Sequence, residues 1–393
     1  MDDANDTGAG RSGGPAFAAV LDALGTPGSI ALVPTPALVC DLDRLADNIA
    51  AMQRVADDAG VALRPHTKSH KCARIARMQL DAGAAGLCVA KLSEAEALVT
   101  AFEADGSSGV DILVTSPLGD LRAAGRAAAL ARRCDLSVVV DHVDGVAELA
   151  AATRNGPELT VLCDIDVGLG RTGVTGPAPA LEVVGRIDAA PRLRFGGVQG
   201  YAGHAQHIDG RDRRRRAVDA AADRMLAVIS ALEAAGHTVD LRTGGGTGTG
   251  MLDIDRAVLN ELQTGSYVFM DREYRDALGG DPESAFAQSL LVATTVLSTN
   301  QSGFVTVDAG LKSMATDAGV PEVVDRPGST FAFFGDEQGL VTTTDTWRPS
   351  RGDRLFLVPP HCDPTVDRHD RLWFTRGDAV VELVPVTARG RSY

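Results

Sequence analysis

The chain has 393 residues, 45% of them apolar, which is more than one average domain and enough for a sizeable core. Its 38 basic and 52 acidic side chains leave a formal charge of −14, a surface that repels phosphate backbones and anionic lipid, so nucleic acid and membranes are poor partners. No apolar run approaches the length that crosses a bilayer, and the acidic start Met1-Asp2-Asp3 lacks the pattern of a secretion signal. The six cysteines are scattered with no CxxC pair, which fits a soluble, reduced, cytoplasmic protein.

Residues 1–14 are Gly/Ser-rich and read as a disordered tail. A strand-like run at 37–43 precedes a helix at 45–59. From about residue 63 to 269, short apolar runs (63–68, 86–90, 111–116, 136–141, 159–166, 195–201, 240–246 and 262–269) alternate with Ala- and Leu-rich helical stretches such as 74–82 and 212–235. Such alternation requires parallel strands, because each helix returns the chain to the same edge, and near-continuous apolar strands suit a sheet buried on both faces. Eight units predict an α/β fold, a (β/α)8 TIM-like barrel over residues 44–275. After about residue 279 the pattern changes. Runs at 289–299, 303–308, 330–334, 354–358 and 380–386 are separated by turns with no convincing helix between them, which predicts an antiparallel β domain. The 37–43 run is expected to cross over and join it, so that residues 15–43 and 276–393 form one domain.

Functional groups of a barrel gather where strands end, on the carboxyl face. Read in order, those ends carry Lys68, then Asp166 and Arg171, then Tyr201, His204 and His207, then the glycines of Thr243-Gly244-Gly245-Gly246-Thr247-Gly248, and last Gly265-Ser266-Tyr267. The two Gly-rich loops follow the seventh and eighth strands, where barrels commonly bind phosphate. Glycines let backbone N–H groups close on an anion, and Thr247 and Ser266 add hydroxyls. A phosphate cradle opposite a lysine suits pyridoxal 5'-phosphate (PLP), whose aldehyde condenses with an amine. In an extended run His66 and Lys68 share a face, with Thr67 on the other. The imidazole then either takes part in proton transfer or is a packed polar group at the barrel mouth.

Several segments carry a resemblance. Thr35-Pro36-Ala37-Leu38-Val39-Cys40-Asp41-Leu42, Arg64-Pro65-His66-Thr67-Lys68-Ser69-His70-Lys71, Lys91-Leu92-Ser93-Glu94-Ala95 and Asp164-Ile165-Asp166-Val167-Gly168-Leu169-Gly170-Arg171 come first. Glu261-Leu262-Gln263-Thr264-Gly265-Ser266-Tyr267, Met270-Asp271 and His361-Cys362-Asp363-Pro364-Thr365 follow in the same order. Together they resemble the alanine-racemase-like (fold type III) PLP enzymes, in the D-threonine aldolase and D-3-hydroxyaspartate aldolase branch of the D-serine dehydratase-like family. The resemblance implies that Lys68 holds the cofactor covalently. It implies that Thr247, Gly265 and Ser266 hold the phosphate, that Arg171 sits near the cofactor ring or its phenolic oxygen, and that Tyr201 and Tyr274 contact the ring or phosphate. His361 and Asp363 would bind a divalent metal. Relatives often carry glutamine where this chain has Ala90, so one cofactor contact is altered.

His361-Cys362-Asp363 follows Val358-Pro359-Pro360. If the extended conformation persists, His361 and Asp363 share one side and Cys362 takes the other. One nitrogen and one carboxylate, completed by water and a substrate hydroxyl, suit Mn2+, Mg2+ or Co2+; a His-x-Cys pair, as in D-serine dehydratase relatives, would favour zinc. The resemblance therefore implies retro-aldol cleavage of a D-3-hydroxy-amino acid to glycine and an aldehyde, with His207 or His66 as the base. The alternative is a dehydratase of D-serine or 3-hydroxyaspartate; a racemase would leave the metal motif without a task, and a non-catalytic PLP-carrying barrel would lack the β domain. His369 could face the metal site, and Asp336-Glu337 reads as a solvated loop. A homodimer is expected.

Overall fold

A computed structural model describes residues 14–279, 281 and 286–393. The expected tail lies outside these residues, except Gly14, which opens the helix Gly14–Asp22. Two compact units form. One comprises the described residues to Asn48 together with Val268–Glu273 and Phe286–Arg389; the other comprises Ile49–Tyr267, the described residues of Tyr274–Ala285, and Gly390–Tyr393. No described helix is long and apolar enough to cross a membrane.

The first strand, β1 (Ala37–Asp41), belongs to the first unit. The second unit is built on eight parallel strands: β2 (Ala62–Leu63), β3 (Leu87–Val89), β4 (Asp111–Val114), β5 (Asp135–Val140), β6 (Leu159–Asp164), β7 (Leu193–Gly200), β8 (Leu241–Gly244) and β9 (Glu261–Leu262). They run β2-β9-β8-β7-β6-β5-β4-β3, and a parallel bridge between His66 and Cys88 closes the ring. The predicted barrel is therefore present. Cys88, Leu113, Val139 and Leu162, one from each of four successive strands, pack inside it with Leu241 against them; each fully buried leucine or valine contributes about 1.5–3 kcal/mol.

Two strands are shorter than the sequence suggests. The run predicted at 63–68 pairs as a strand only to Leu63, because Pro65 has no N–H for the ladder and the chain then tightens into a 3-10 turn at Thr67–Ser69. The run predicted at 262–269 is regular strand only to Leu262; the Gln263 N–H still reaches the Gly244 carbonyl and the Thr264 carbonyl accepts the His66 N–H before the chain turns at Ser266–Val268. Charge reinforces this seam. Buried Arg64 on the β2 side bonds Glu261 of β9 at 2.9 Å and Asp111 of β4 at 2.6 Å, and despite burial those carboxylates raise its pKa.

The first unit is a sheet that also contains β10 (Leu290–Ser298), β11 (Phe304–Val307), β12 (Glu322–Val323), β13 (Phe331–Phe333), β14 (Gly339–Thr342), β15 (Arg354–Val358), β16 (Arg371–Arg376) and β17 (Ala379–Pro385). Its main path is β13-β14-β11-β10-β1-β16-β17, with β15 on β10 and β12 on β15. β1 lies between β10, antiparallel, and β16, parallel. Val39, Ala293, Trp373 and Val380 pack on one side with Val20 from the first helix. Sequence reading missed β12, β14 and β16, which are short or end in arginines. It also expected no helix here. Cys362–Val366 is one, and its backbone leaves the extended state immediately after His361; Pro364 sits in the first turn, where a missing N–H costs nothing.

Candidate active site

The strand-end residues of the barrel unit converge. Lys68, Arg171, Tyr201, Thr247, Gly265, Ser266 and Tyr274, the seven positions expected to hold the cofactor, line one cleft of about 700 Å3 open to solvent. His66 and Ala90 line it too, as do Gly245 and Gly246 of the expected phosphate loop and Thr115, Ser116, Gln199 and Gln263, to which sequence reading gave no role.

Lys68 is carried by the 3-10 turn, and His66 caps that turn: its Nδ1 accepts from the Lys68 backbone N–H at 3.4 Å. A nitrogen that accepts carries no proton, so the proton of the neutral ring sits on Nε2, which lies 3.0 Å from Thr115 Oγ1. The Thr115 hydroxyl donates to the Val89 carbonyl at 3.1 Å. The His66 ring thus meets protein groups through both nitrogens and fixes the lysine's turn.

The two Gly-rich loops are joined. Thr247 Oγ1 accepts from the Tyr267 N–H at 3.0 Å, which leaves its own proton to donate elsewhere. A Cβ on Gly265 would come within 2.8 Å of the His66 carbonyl, so only glycine lets this loop approach the lysine's turn so closely. The donor-rich concavity suits a phosphate, and the lysine on the same cleft suits an aldehyde. The residues present fit PLP.

A chain of amides forms the floor. Gln263 Nε2 donates to Thr243 Oγ1 (3.0 Å) and to Gln199 Oε1 (3.2 Å), and Gln199 Nε2 donates to the Thr115 carbonyl (3.0 Å) and to Asp164 Oδ1 (2.8 Å). Burial pushes the Asp164 carboxyl up to about 6, with the bonds from Gln199 and Thr172 opposing. Asp166 shapes the neighbouring loop. Its Oδ1 accepts the Gly168 and Gly170 N–H groups, both at 2.9 Å, and although burial works against it these bonds hold the carboxyl below its ordinary pKa. The loop carries Arg171, whose guanidinium lies 5.5 Å from the centre of the Tyr201 ring. His207 is placed one layer back, its ring 4.4 Å from that of Tyr274; His204 is exposed.

The β unit holds the second group of predicted residues. Because the helix begins at Cys362, the expected alternation of His361 and Asp363 against Cys362 does not occur; instead the buried Cys362 thiol donates to Asp363 Oδ1 at 3.3 Å. Buried Asp271 accepts the Cys362 N–H at 2.8 Å and fixes the start of the helix. His361 Nδ1 lies 2.7 Å from Asp317 Oδ2. Burial alone would lower the His361 pKa, but the carboxylates of Asp363, Asp317 and Asp271 outweigh it and raise it. Among the described residues no three His, Cys, Asp or Glu side chains gather in a metal-holding arrangement; the nitrogen of His361 and the carboxylate of Asp363 are donors of the kind that fit a hard or borderline ion. His369 is committed elsewhere, with Nε2 2.8 Å from the Ser313 carbonyl, and the exposed Asp336 and Glu337 pair with Lys312. Asp317 had no signal in the sequence, since 44 residues separate it from His361.

A closed eight-stranded barrel with an amine and a glycine cradle on one cleft, followed by an antiparallel sheet domain, defines an alanine-racemase-like enzyme. The family model for the alanine racemase N-terminal domain matches residues 40–273, and one described as a serine dehydratase domain matches 289–375. A D-threonine aldolase of Arthrobacter sp. is 38% identical over 365 residues, 92% of this chain and 94% of the relative. A 3-hydroxy-D-aspartate aldolase of Paracoccus denitrificans (strain Pd 1222) is 37% identical over 92% of this chain and 93% of its own. The crystal structure of D-threonine aldolase from Filomicrobium marinum superposes with a TM-score of 0.89 at 36% identity, covering 94% of this chain and 99% of that one. The chain belongs to this aldolase branch of the alanine-racemase-like family and is a carbon–carbon lyase.

Proposed function

We propose that the protein is a PLP- and divalent-metal-dependent aldolase that cleaves a D-3-hydroxy-amino acid to glycine and an aldehyde, with D-threonine, D-allo-threonine, D-phenylserine and D-3-hydroxyaspartate as the candidate substrates. The observation that carries this reading is the shared cleft of Lys68 and the two glycine loops. Bound PLP supplies an electron sink for the pair left on Cα when the Cα–Cβ bond breaks, and a divalent ion lowers the pKa of the β-hydroxyl.

The chain's own residues do the rest. Lys68 holds the cofactor aldehyde through its amine. Thr247, Gly265 and Ser266 bind the phosphate, and Arg171, Tyr201 and Tyr274 confine the ring. His361 and Asp363 hold the cation, Mn2+, Mg2+ or Co2+ before Zn2+. Asp317, by engaging His361 Nδ1, leaves Nε2 as the coordinating nitrogen. His207 is the candidate base for the hydroxyl proton. His66, with both nitrogens engaged, suits the positioning of Lys68 better than proton abstraction. All six cysteines are buried, as small apolar side chains are; a reducing, cytoplasmic setting and a homodimer are the expected context.

Incubation with the four D-amino acids, each with several metals, tests the reading: glycine plus aldehyde is expected. Ammonia plus a keto acid would assign a dehydratase instead. Lys68→Ala should abolish both the visible absorbance of the bound cofactor and turnover; retained turnover overturns the assignment.

A further inference from the structure

Behind the glycine loop stands a row of polar side chains with no task in the cleavage reaction. Gln206 and Thr249 are each 1% exposed. Gln206 Oε1 accepts the Gly248 N–H at 3.0 Å, and its Nε2 donates to the Ala202 carbonyl (3.2 Å) and to Thr249 Oγ1 (2.9 Å). The Thr249 hydroxyl in turn donates to Asp253 Oδ2 at 2.7 Å. Two of these side chains also fill the space over the glycines: a Cβ on Gly246 would overlap the Gln206 amide, and one on Gly245 would come within 2.8 Å of Asp253 Oδ2. Over Gly248 it is the backbone carbonyl of Gln206 that leaves no room for a Cβ.

The order of these bonds has a direction. The two ends of a glutamine amide have nearly the same shape, so its neighbours must decide which end faces where. Asp253 Oδ2 takes the one proton Thr249 can give, and the Thr249 oxygen is then left as an acceptor for Gln206 Nε2. That orientation puts Oε1 against the Gly248 N–H. The reverse orientation would set Oε1 against the Ala202 carbonyl and two donors against each other at Gly248, each a buried mismatch of about 1–3 kcal/mol.

We propose that Gln206, Thr249 and Asp253 are positioning residues that fix the loop of Thr243 to Thr249 in the shape that receives a phosphate monoester. The inference rests on the PLP reading and deepens it: the relay sets affinity for the phosphate end of the cofactor and leaves the aldehyde end to Lys68. Thr249→Val keeps the side-chain shape and removes both relay bonds. Gln206→Glu keeps the length and removes both donors.

The test compares PLP with pyridoxal, which lacks the phosphate, by titrating the Lys68-dependent absorbance and recording the melting temperature of each variant. Thr249→Val and Gln206→Glu should weaken PLP at least tenfold and pyridoxal less than twofold. Asp253→Ala should behave like them, and Asp253→Asn, which keeps an acceptor for Thr249, should restore native PLP affinity. Native affinity in Thr249→Val, or equal weakening of both ligands in folded variants, overturns the proposal. If the native protein itself shows no Lys68-dependent absorbance with PLP, the parent reading fails and the relay falls with it, a result distinct from a defect confined to the variants.

Discussion

The glycine cradle and the His361 turn are both short polar loops, yet they are built in opposite ways. The cradle is buried from Thr243 to Gly250, and its shape is held by backbone groups meeting buried side chains. The His361 turn gathers charges near solvent: the His361 side chain is 23% exposed and that of Asp317 is 56% exposed. A buried loop that depends on missing Cβ atoms resists substitution through packing. A loop made of half-exposed charges tolerates it structurally, and changes instead in what it can bind.

Stability measurements can break or sharpen this contrast. The largest effect is expected for Gly248→Ala, whose new methyl would overlap backbone that cannot step aside; about 3 kcal/mol of stability should be lost, and PLP binding with it. Denaturant titration reads the first and absorbance the second, and a native-like variant would show that the cradle is pliable.

Next comes Asp253→Asn. Burial pushes the Asp253 carboxyl up to about 7, with the Thr249 bond opposing. A raised carboxyl pKa means that the folded state favours the proton, so this group's contribution is fully present below the unfolded pKa near 3.8 and is lost as pH rises through 7. Asparagine removes that loss. The variant should therefore gain roughly 2 kcal/mol over the native protein between pH 5 and pH 8; no pH-dependent gain would mean that the carboxyl is not held protonated.

His361→Ala should change stability by less than about 1 kcal/mol, because its pair with Asp317 is part-exposed. It should nevertheless weaken Mn2+ binding, read by electron paramagnetic resonance, by more than tenfold. The smallest structural effect is expected for Asp317→Asn, about 0.5 kcal/mol or less. Mn2+ affinity should still fall about tenfold, as happens when a ligating imidazole loses its orienting carboxylate. Unchanged Mn2+ affinity in both variants would remove the cation from this turn.

Much of the barrel was legible because its signals are local. Apolar runs such as Asp111–Val114 and Leu159–Asp164 read as buried parallel strands by themselves, and the glycine-rich ends of the last two units mark close backbone approach wherever they lie. The short strands were less legible. β16 hides Leu372, Trp373 and Phe374 between arginines, and Pro65 ends β2 earlier than hydrophobicity implies. The extended conformation that would alternate His361 and Asp363 against Cys362 does not persist beyond His361. The Cys362 N–H that opens its helix is taken by Asp271, 91 residues earlier in the chain, a partner no local pattern announces.

The sequence alone determined the alternation of strands and helices in the barrel, the placing of Lys68 shortly after its first strand, and the glycines that free backbone donors, since each follows from periodicity or side-chain size at one position. Tertiary structure decided which group the His66 Nε2 meets, Thr115, the orientation of Gln206 through Thr249 and Asp253, and the engagement of His361 by Asp317. In all three the partner lies dozens of residues away along the chain, and the contact is set by neighbours in space.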